Sequence, residues 1–164
     1  MQFLVRTPVW VWPLLVALIW LGAKQLADRT VPRSRALILP AVMILLSISG
    51  TLSSFGLRAD AFAAWAAGAA GAVAINHLLA RWPRGLQLAN ADGDILVPGS
   101  SVPLLLILCI FCLRFVIGAT LATNSQLAAD PLFVAAVCGI LGACSGLFFT
   151  RAIAMLQVKA RPAV

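Results

Sequence analysis

The 164 residues are 62% hydrophobic and 10% charged, with twelve Lys and Arg against five Asp for a net charge of +7. Mean hydropathy is +1.03. A small soluble domain needs far more charged surface than this, so the composition argues against an aqueous globule. It argues equally against nucleic-acid binding, which needs a folded, solvated basic surface.

The pattern predicts instead an all-α polytopic membrane bundle, one domain over 1–164, of five transmembrane helices with a short cytoplasmic β-hairpin between helices 3 and 4. A bilayer core of about 30 Å takes roughly 20 helical residues to cross. The first predicted span covers about 8–24, framed by Trp10, Trp12 and Lys24, which suit an interfacial start and a snorkelling end. No small-x-small cleavage site precedes Lys24 and four more spans follow, so it reads as a mature helix rather than a signal peptide.

The second span, 36–57, is polar mainly through Ser, Thr and Gly. Ser47, Thr51 and Ser54 share one face at i, i+4 and i+7, and Pro40 on the same stripe frees a backbone carbonyl. The third, 60–80, is rich in Ala and Gly. His77, beside Asn76, reads as a satisfied polar residue at the span's end. Ala64, Gly68 and Ala72, with Gly71, are matched in span five by Gly139, Gly142, Ala143 and Gly146. Small residues at this spacing let backbones approach, so spans three and five are expected to pack together, a homodimer face being the alternative.

The connection from 84 to 101 places Leu86 and Leu88, then Ile95 and Val97, on either side of an Asp-Gly turn within 90–94. That alternation predicts the hairpin. Asp92-Gly93-Asp94 lacks the further ligands of a calcium loop. Pro98, Gly99, Ser100 and Pro103 punctuate the start of span four, with Ser100 or Ser101 as its cap.

Span four, 102–123, carries Arg114. An arginine near a helix centre costs about 2.5–3.5 kcal/mol, whereas the twelve large apolar residues around it together return roughly 4–7 kcal/mol. Insertion wins. The chain has no Glu, and its Asp residues lie in loops or at helix ends, so Arg114 has no evident buried carboxylate. Two readings stand: a structural Arg served by hydroxyls and carbonyls or snorkelling outward, or an anion or lipid-phosphate site formed by Arg114, Ser47, Thr51 and Ser54.

Cys109 and Cys112 spell C-x-x-C on the same span. Three residues apart on a helix they suit neither a disulfide nor a metal cage, so packing is favoured over a redox or metal role. Cys138 and Cys144 do not complete a four-thiol site. No metal or cofactor is expected. The fifth span, 131–151, is uncharged until Arg151 closes it.

Basic residues order the topology. Lys24, Arg29, Arg33 and Arg35, then Arg81 and Arg84, then Arg151, Lys159 and Arg161 make nine on one side; Arg6 and Arg58 make two on the other. The rule that positive loops stay inside then predicts an outer N-terminus and a cytoplasmic C-terminus in a bacterial inner membrane.

Val31-Pro32, Leu39-Pro40, Ile95-Leu96-Val97-Pro98-Gly99-Ser100 and Phe111-Cys112-Leu113-Arg114-Phe115 together resemble small bacterial inner-membrane proteins of the CcdC-like type and related families of unknown function. That resemblance implies an association with cytochrome c maturation. The residues themselves show no Ser-His-Asp set, phosphate loop or carboxylate pair, so binding or transport is expected before catalysis. A ligand-binding or transport-like protein using the helix-2 stripe and Arg114 comes first. A membrane accessory or assembly factor, docking to its own copy or a membrane partner, and a thiol-redox protein are the alternatives. The lipid bilayer is the expected surrounding in each case.

Overall fold

A computed structural model describes residues 11–80, 82–89 and 94–158. In chain order these form α1 (Val11–Ala23), β1 (Arg29–Pro32), α2 (Arg33–Phe55) and α3 (Ala59–Ile75), which ends in a π-helical turn at Asn76–Ala80. Then come β2 (Gln87–Leu88), β3 (Asp94–Val97), α4 (Val102–Thr123), a 3-10 turn (Ser125–Ala129) and α5 (Pro131–Leu156).

Four of these helices, α2 to α5, are long and apolar enough to cross a membrane. The described part of α1 has 13 residues, short of the roughly 20 a crossing needs. Residues 8–10 of the first predicted span lie outside the described residues.

Local chemistry sets the helix ends. Asp130 accepts from the backbone N–H groups of Leu132 (2.8 Å) and Phe133 (3.5 Å), and Pro131 pre-sets the first turn, so α5 starts on a capped end. Gly56, at φ +69°, ends α2 and donates its N–H to the Leu52 carbonyl.

The packing centres on α5. Half of its apolar stretch is buried within the protein, against 22% for α4 and 6% for α3. Its glycines allow this. Gly142 abuts the Trp65 backbone, Gly146 that of Ala69, and Gly68 meets the Gly139 carbonyl, each so closely that a Cβ would collide. The expected pairing of spans three and five is therefore present within one chain. Met43, Ile107, Val134, Leu141 and Phe148 fill the core around that contact. Gly22 similarly lets α1 rest against Leu104 of α4.

The hairpin is present and larger than expected. Three antiparallel strands lie in the order β1-β3-β2, pairing Arg29 with Val97, Val31 with Ile95, and Leu88 with Ile95. The third strand comes from the first connection, which the sequence analysis left without structure; its four residues are too short and too polar to announce a strand until β3 lies beside them. The turn residues 90–93 lie outside the described residues. Ile95 and Val97 turn inward onto Ala36 and Met155, making a second small core where the sheet meets the ends of α2 and α5.

One helix boundary also differs. Span five was expected to close at Arg151, but α5 runs on to Leu156 and Arg151 is 3% exposed. Residues 152–156 remain apolar, and burying Met155 against the sheet core draws the preceding turn inside with it.

The close approach can be tested by paired substitutions. Gly142→Leu should lower stability by about 1–3 kcal/mol or prevent folding, because the backbone of Trp65 cannot yield. Gly71→Leu, where nothing lies within 4 Å, should leave the thermal midpoint in detergent near that of the parent.

Candidate functional site

Arg114 does reach oxygens of α2, though not those of the expected stripe. Its Nη1 donates to the Leu46 carbonyl at 2.9 Å and its Nη2 lies 3.5 Å from Ser53 Oγ. The guanidinium lies against Gly50, where a Cβ would sit 2.9 Å from Cζ. Leu46, Gly50 and Ser53 are each one residue before Ser47, Thr51 and Ser54, hence about 100° round the helix. Ser47 and Thr51 are fully buried on the side facing α3 and α5. Ser47 Oγ donates to the Leu141 carbonyl (3.2 Å) and accepts from Trp65 Nε1 (3.0 Å), while Thr51 donates to the Ser47 carbonyl (3.3 Å). Ser54 is half-buried on α2, and among the described residues no hydrogen bond joins it to Arg114. The structure thus separates Arg114 from the hydroxyl set with which the sequence analysis grouped it.

The thiols are also regrouped. Cys109 faces Cys144 of α5, with sulfurs 3.8 Å apart, rather than Cys112. Cys109 and Cys112 are both exposed, and Cys138 is buried in the core. The contact across two helices follows from how α4 lies on α5, which spacing along α4 does not encode.

A more unusual arrangement sits beneath the sheet. Gln25, 4% exposed, presents Oε1 to two cations: it accepts from Arg29 Nη2 and from Arg151 Nη2, the latter at 3.1 Å. A side-chain amide oxygen is neutral, so it orients the two guanidinium groups without cancelling either charge. Among the described residues no carboxylate pairs with Arg29 or Arg151. Arg151 Nε and Nη1, and Arg29 Nε, are buried without a hydrogen-bond partner among the described residues. Burial pulls the Arg29 pKa below its ordinary value, since the charged form loses hydration.

The surroundings are held firmly. Trp82 lies over Arg151, with Cζ 5.6 Å from the ring centroid, within cation–π range. Buried Asn76 clamps Trp82 at both backbone groups: its Nδ2 donates to the Trp82 carbonyl at 2.8 Å, and its Oδ1 accepts from the Trp82 N–H at 3.1 Å. On the other side, Ser100 N–H donates to the Gln25 carbonyl (2.8 Å) and Gly99 N–H to Asp28 Oδ1 (2.6 Å). Gly99 is pressed so closely on the Leu26 carbonyl that no side chain fits. The Pro98-Gly99-Ser100 motif therefore staples the first connection to the third. Ser100 Oγ also accepts from Val102 N–H at 3.3 Å, although Ser101 occupies the cap position of α4.

Between these parts lies a cavity of about 180 Å³, lined by Arg151, Arg84, Trp82, Leu86, Val97 and the 98–100 turn. It has room for one tetrahedral oxyanion or a few waters. Sequence reasoning used Arg29 and Arg151 only as topology markers and passed over Gln25 and Trp82. The one usable signal was the apolar run after Arg151, which marks a basic residue inside a helix rather than at its end.

A family model described as a family of unknown function, DUF6622, matches residues 1–163, and the chain belongs to that family. No curated protein and no solved structure matches it. Nothing in these comparisons connects the chain to CcdC-like proteins specifically.

Gln25→Leu should destabilise the protein by about 1–3 kcal/mol, because it deprives both guanidinium groups of their shared acceptor. Arg114→Leu should perturb stability less, since Arg114 is only partly buried and its loss takes a costly charge out of an apolar span. Chemical or thermal unfolding of the two variants side by side checks that order.

Proposed function

We propose that this is an integral membrane protein of five spans, with an outer N-terminus and its sheet and C-terminus on the cytoplasmic side, that binds an anionic group in the cavity over Arg151. Four long apolar helices support the membrane reading. The nine-to-two split of basic residues supports the orientation. A bacterial inner membrane is the setting that fits this charge pattern. The sheet agrees with it, since β1 and β3 come from two connections that the charge pattern puts on one side.

The observation that carries the binding role is Arg151 itself, which lines the cavity, is 3% exposed, and has two buried guanidinium nitrogens with no hydrogen-bond partner among the described residues. A buried cation with no counter-ion costs several kcal/mol, and an oxyanion accepting from those nitrogens offsets that cost directly. Arg29, brought alongside by Gln25, adds a second positive charge. Arg114 has its acceptors in place on α2 and serves to position α4. The activity proposed is recognition of an anion; the cavity wall supplies cations, an indole and apolar groups rather than a nucleophile and base.

Single cysteines introduced between 24 and 35, in a cysteine-free background, should react with an impermeant maleimide only after the membrane is opened. In detergent, inorganic phosphate at constant ionic strength should raise the thermal midpoint of the parent protein, as any ligand selective for the native state does. Arg151→Met should abolish that rise. A parent protein indifferent to phosphate and sulfate would remove the proposal.

A further inference from the structure

The four cysteines are nucleophilic groups that anion binding leaves unused, and two of them meet. Cys109 of α4 and Cys144 of α5 bring their sulfurs to 3.8 Å, with the Cys144 thiol donating to the Cys109 sulfur. A disulfide needs about 2.05 Å. Closing the gap takes a shift of roughly 0.9 Å from each sulfur, within the reach of side-chain rotation. The other two thiols are placed less well. Cys112 is three residues from Cys109 on the same helix, a spacing that holds Cβ atoms about 5–6 Å apart, and Cys138 is buried in the core.

The two sulfurs differ in access. Cys144 is 6% exposed, whereas Cys109 is exposed. Leu105, Cys109, Cys112 and Val116 follow one another at spacings of four, three and four, so they form one stripe along α4. All four are exposed, and none is charged. The helix that bears them is long and apolar enough to cross a membrane. Cys109 lies seven residues into it from Val102, roughly 10 Å along the axis. In the bilayer proposed above, that depth falls within hydrocarbon. A charged oxidant such as glutathione disulfide enters hydrocarbon poorly. An apolar one reaches Cys109 along the membrane.

We propose that Cys109 and Cys144 are a redox-active dithiol that a membrane-soluble quinone oxidises to an interhelical disulfide. Cys109 is the sulfur that meets the quinone, and Cys144 closes the bond from inside the protein. Both S–H bonds break and one S–S bond forms. The two electrons and two protons pass to the quinone, which leaves as its hydroquinone. The product ties α4 covalently to α5, the helix on which the packing centres. The membrane setting is the one proposed above, whereas the anion pocket takes no part, so either can fail alone.

The test uses the full-length protein, reduced, reconstituted in liposomes and exposed without oxygen to decylubiquinone or to glutathione disulfide at equal concentration. Decylubiquinone should remove two hydrogens from the intact mass and yield one hydroquinone per disulfide. Peptide mapping should join the segment holding Cys109 to the segment holding Cys144. The quinone should act about tenfold or more faster than glutathione disulfide, because access to the thiols limits the rate. Cys109→Ala and Cys144→Ala should each abolish hydroquinone formation, and Cys112→Ala should retain it. Should a variant fail to fold, the peptide map of the unaltered protein decides. A Cys109–Cys112 link, a lasting quinone adduct on Cys109, or thiols that stay reduced would overturn the dithiol assignment. Equal rates with both oxidants would overturn the quinone as its oxidant. None of these outcomes touches the phosphate-dependent thermal shift by which the anion pocket is judged.

Discussion

The contact between the backbones of α3 and α5 fixes the rest of this protein. In the bilayer proposed for this chain, apolar helices gain little from hiding side chains, so they associate where backbones can come close enough for dense dispersion contact. Gly68, Gly139, Gly142 and Gly146 supply that closeness. Once α5 is seated, α2 hydrogen-bonds onto it through Ser47, and α4 closes over its other side through Ile107 and Cys109. The last turns of α5 then emerge under the sheet, carrying Met155 into the sheet core and Arg151 into the space below Trp82.

The two arginines on the long helices make sense only in relation to that geometry. Arg114 and Arg151 both sit on long apolar helices, yet their situations are opposite. Arg114 lies on a neighbouring helix backbone thinned by Gly50, and takes a carbonyl and a hydroxyl there. Arg151 has one neutral acceptor, shared with a second cation, and two nitrogens facing no acceptor. The first arrangement gives a charge its acceptors, whereas the second leaves part of one without a hydrogen-bond partner among the described residues. Residues that break the ordinary rule of buried-charge compensation are where a binding role is best sought.

The sheet converts loose connections into a rigid floor for that charge. Gly99 and Ser100 hold the 25–28 turn by two hydrogen bonds, one to the Asp28 carboxylate and one to the Gln25 carbonyl, and β1 joins β3, so the segment bearing Gln25 and Arg29 cannot drift from the segment bearing Trp82. Asn76 does the same from the end of α3 by fixing both backbone groups of Trp82. Three separate parts of the chain, 82–86, 97–100 and Arg151, thereby line one cavity, with Gln25 and Asn76 holding them in place.

By itself the sequence determined the helices, the hairpin and the pairing of the third and fifth spans, because these depend on local properties: hydropathy over about 20 residues, alternation about an Asp-Gly turn, and small residues four apart. The same local logic placed Arg114 inside a helix and found it no acid. It could not say which face of α2 the arginine would meet, since faces one residue apart differ by about 100° and only the seating of α4 chooses between them. Nor could it assemble Gln25, Arg29, Trp82 and Arg151, which are up to 126 positions apart and meet through the register of a three-stranded sheet and the rotation of α5. The tertiary structure alone decided that Arg151 lies inside the protein rather than at its surface. The reason is geometric: α5 continues past Arg151 to Leu156, and Met155, one turn further on, packs into the sheet core, which carries the preceding turn inside.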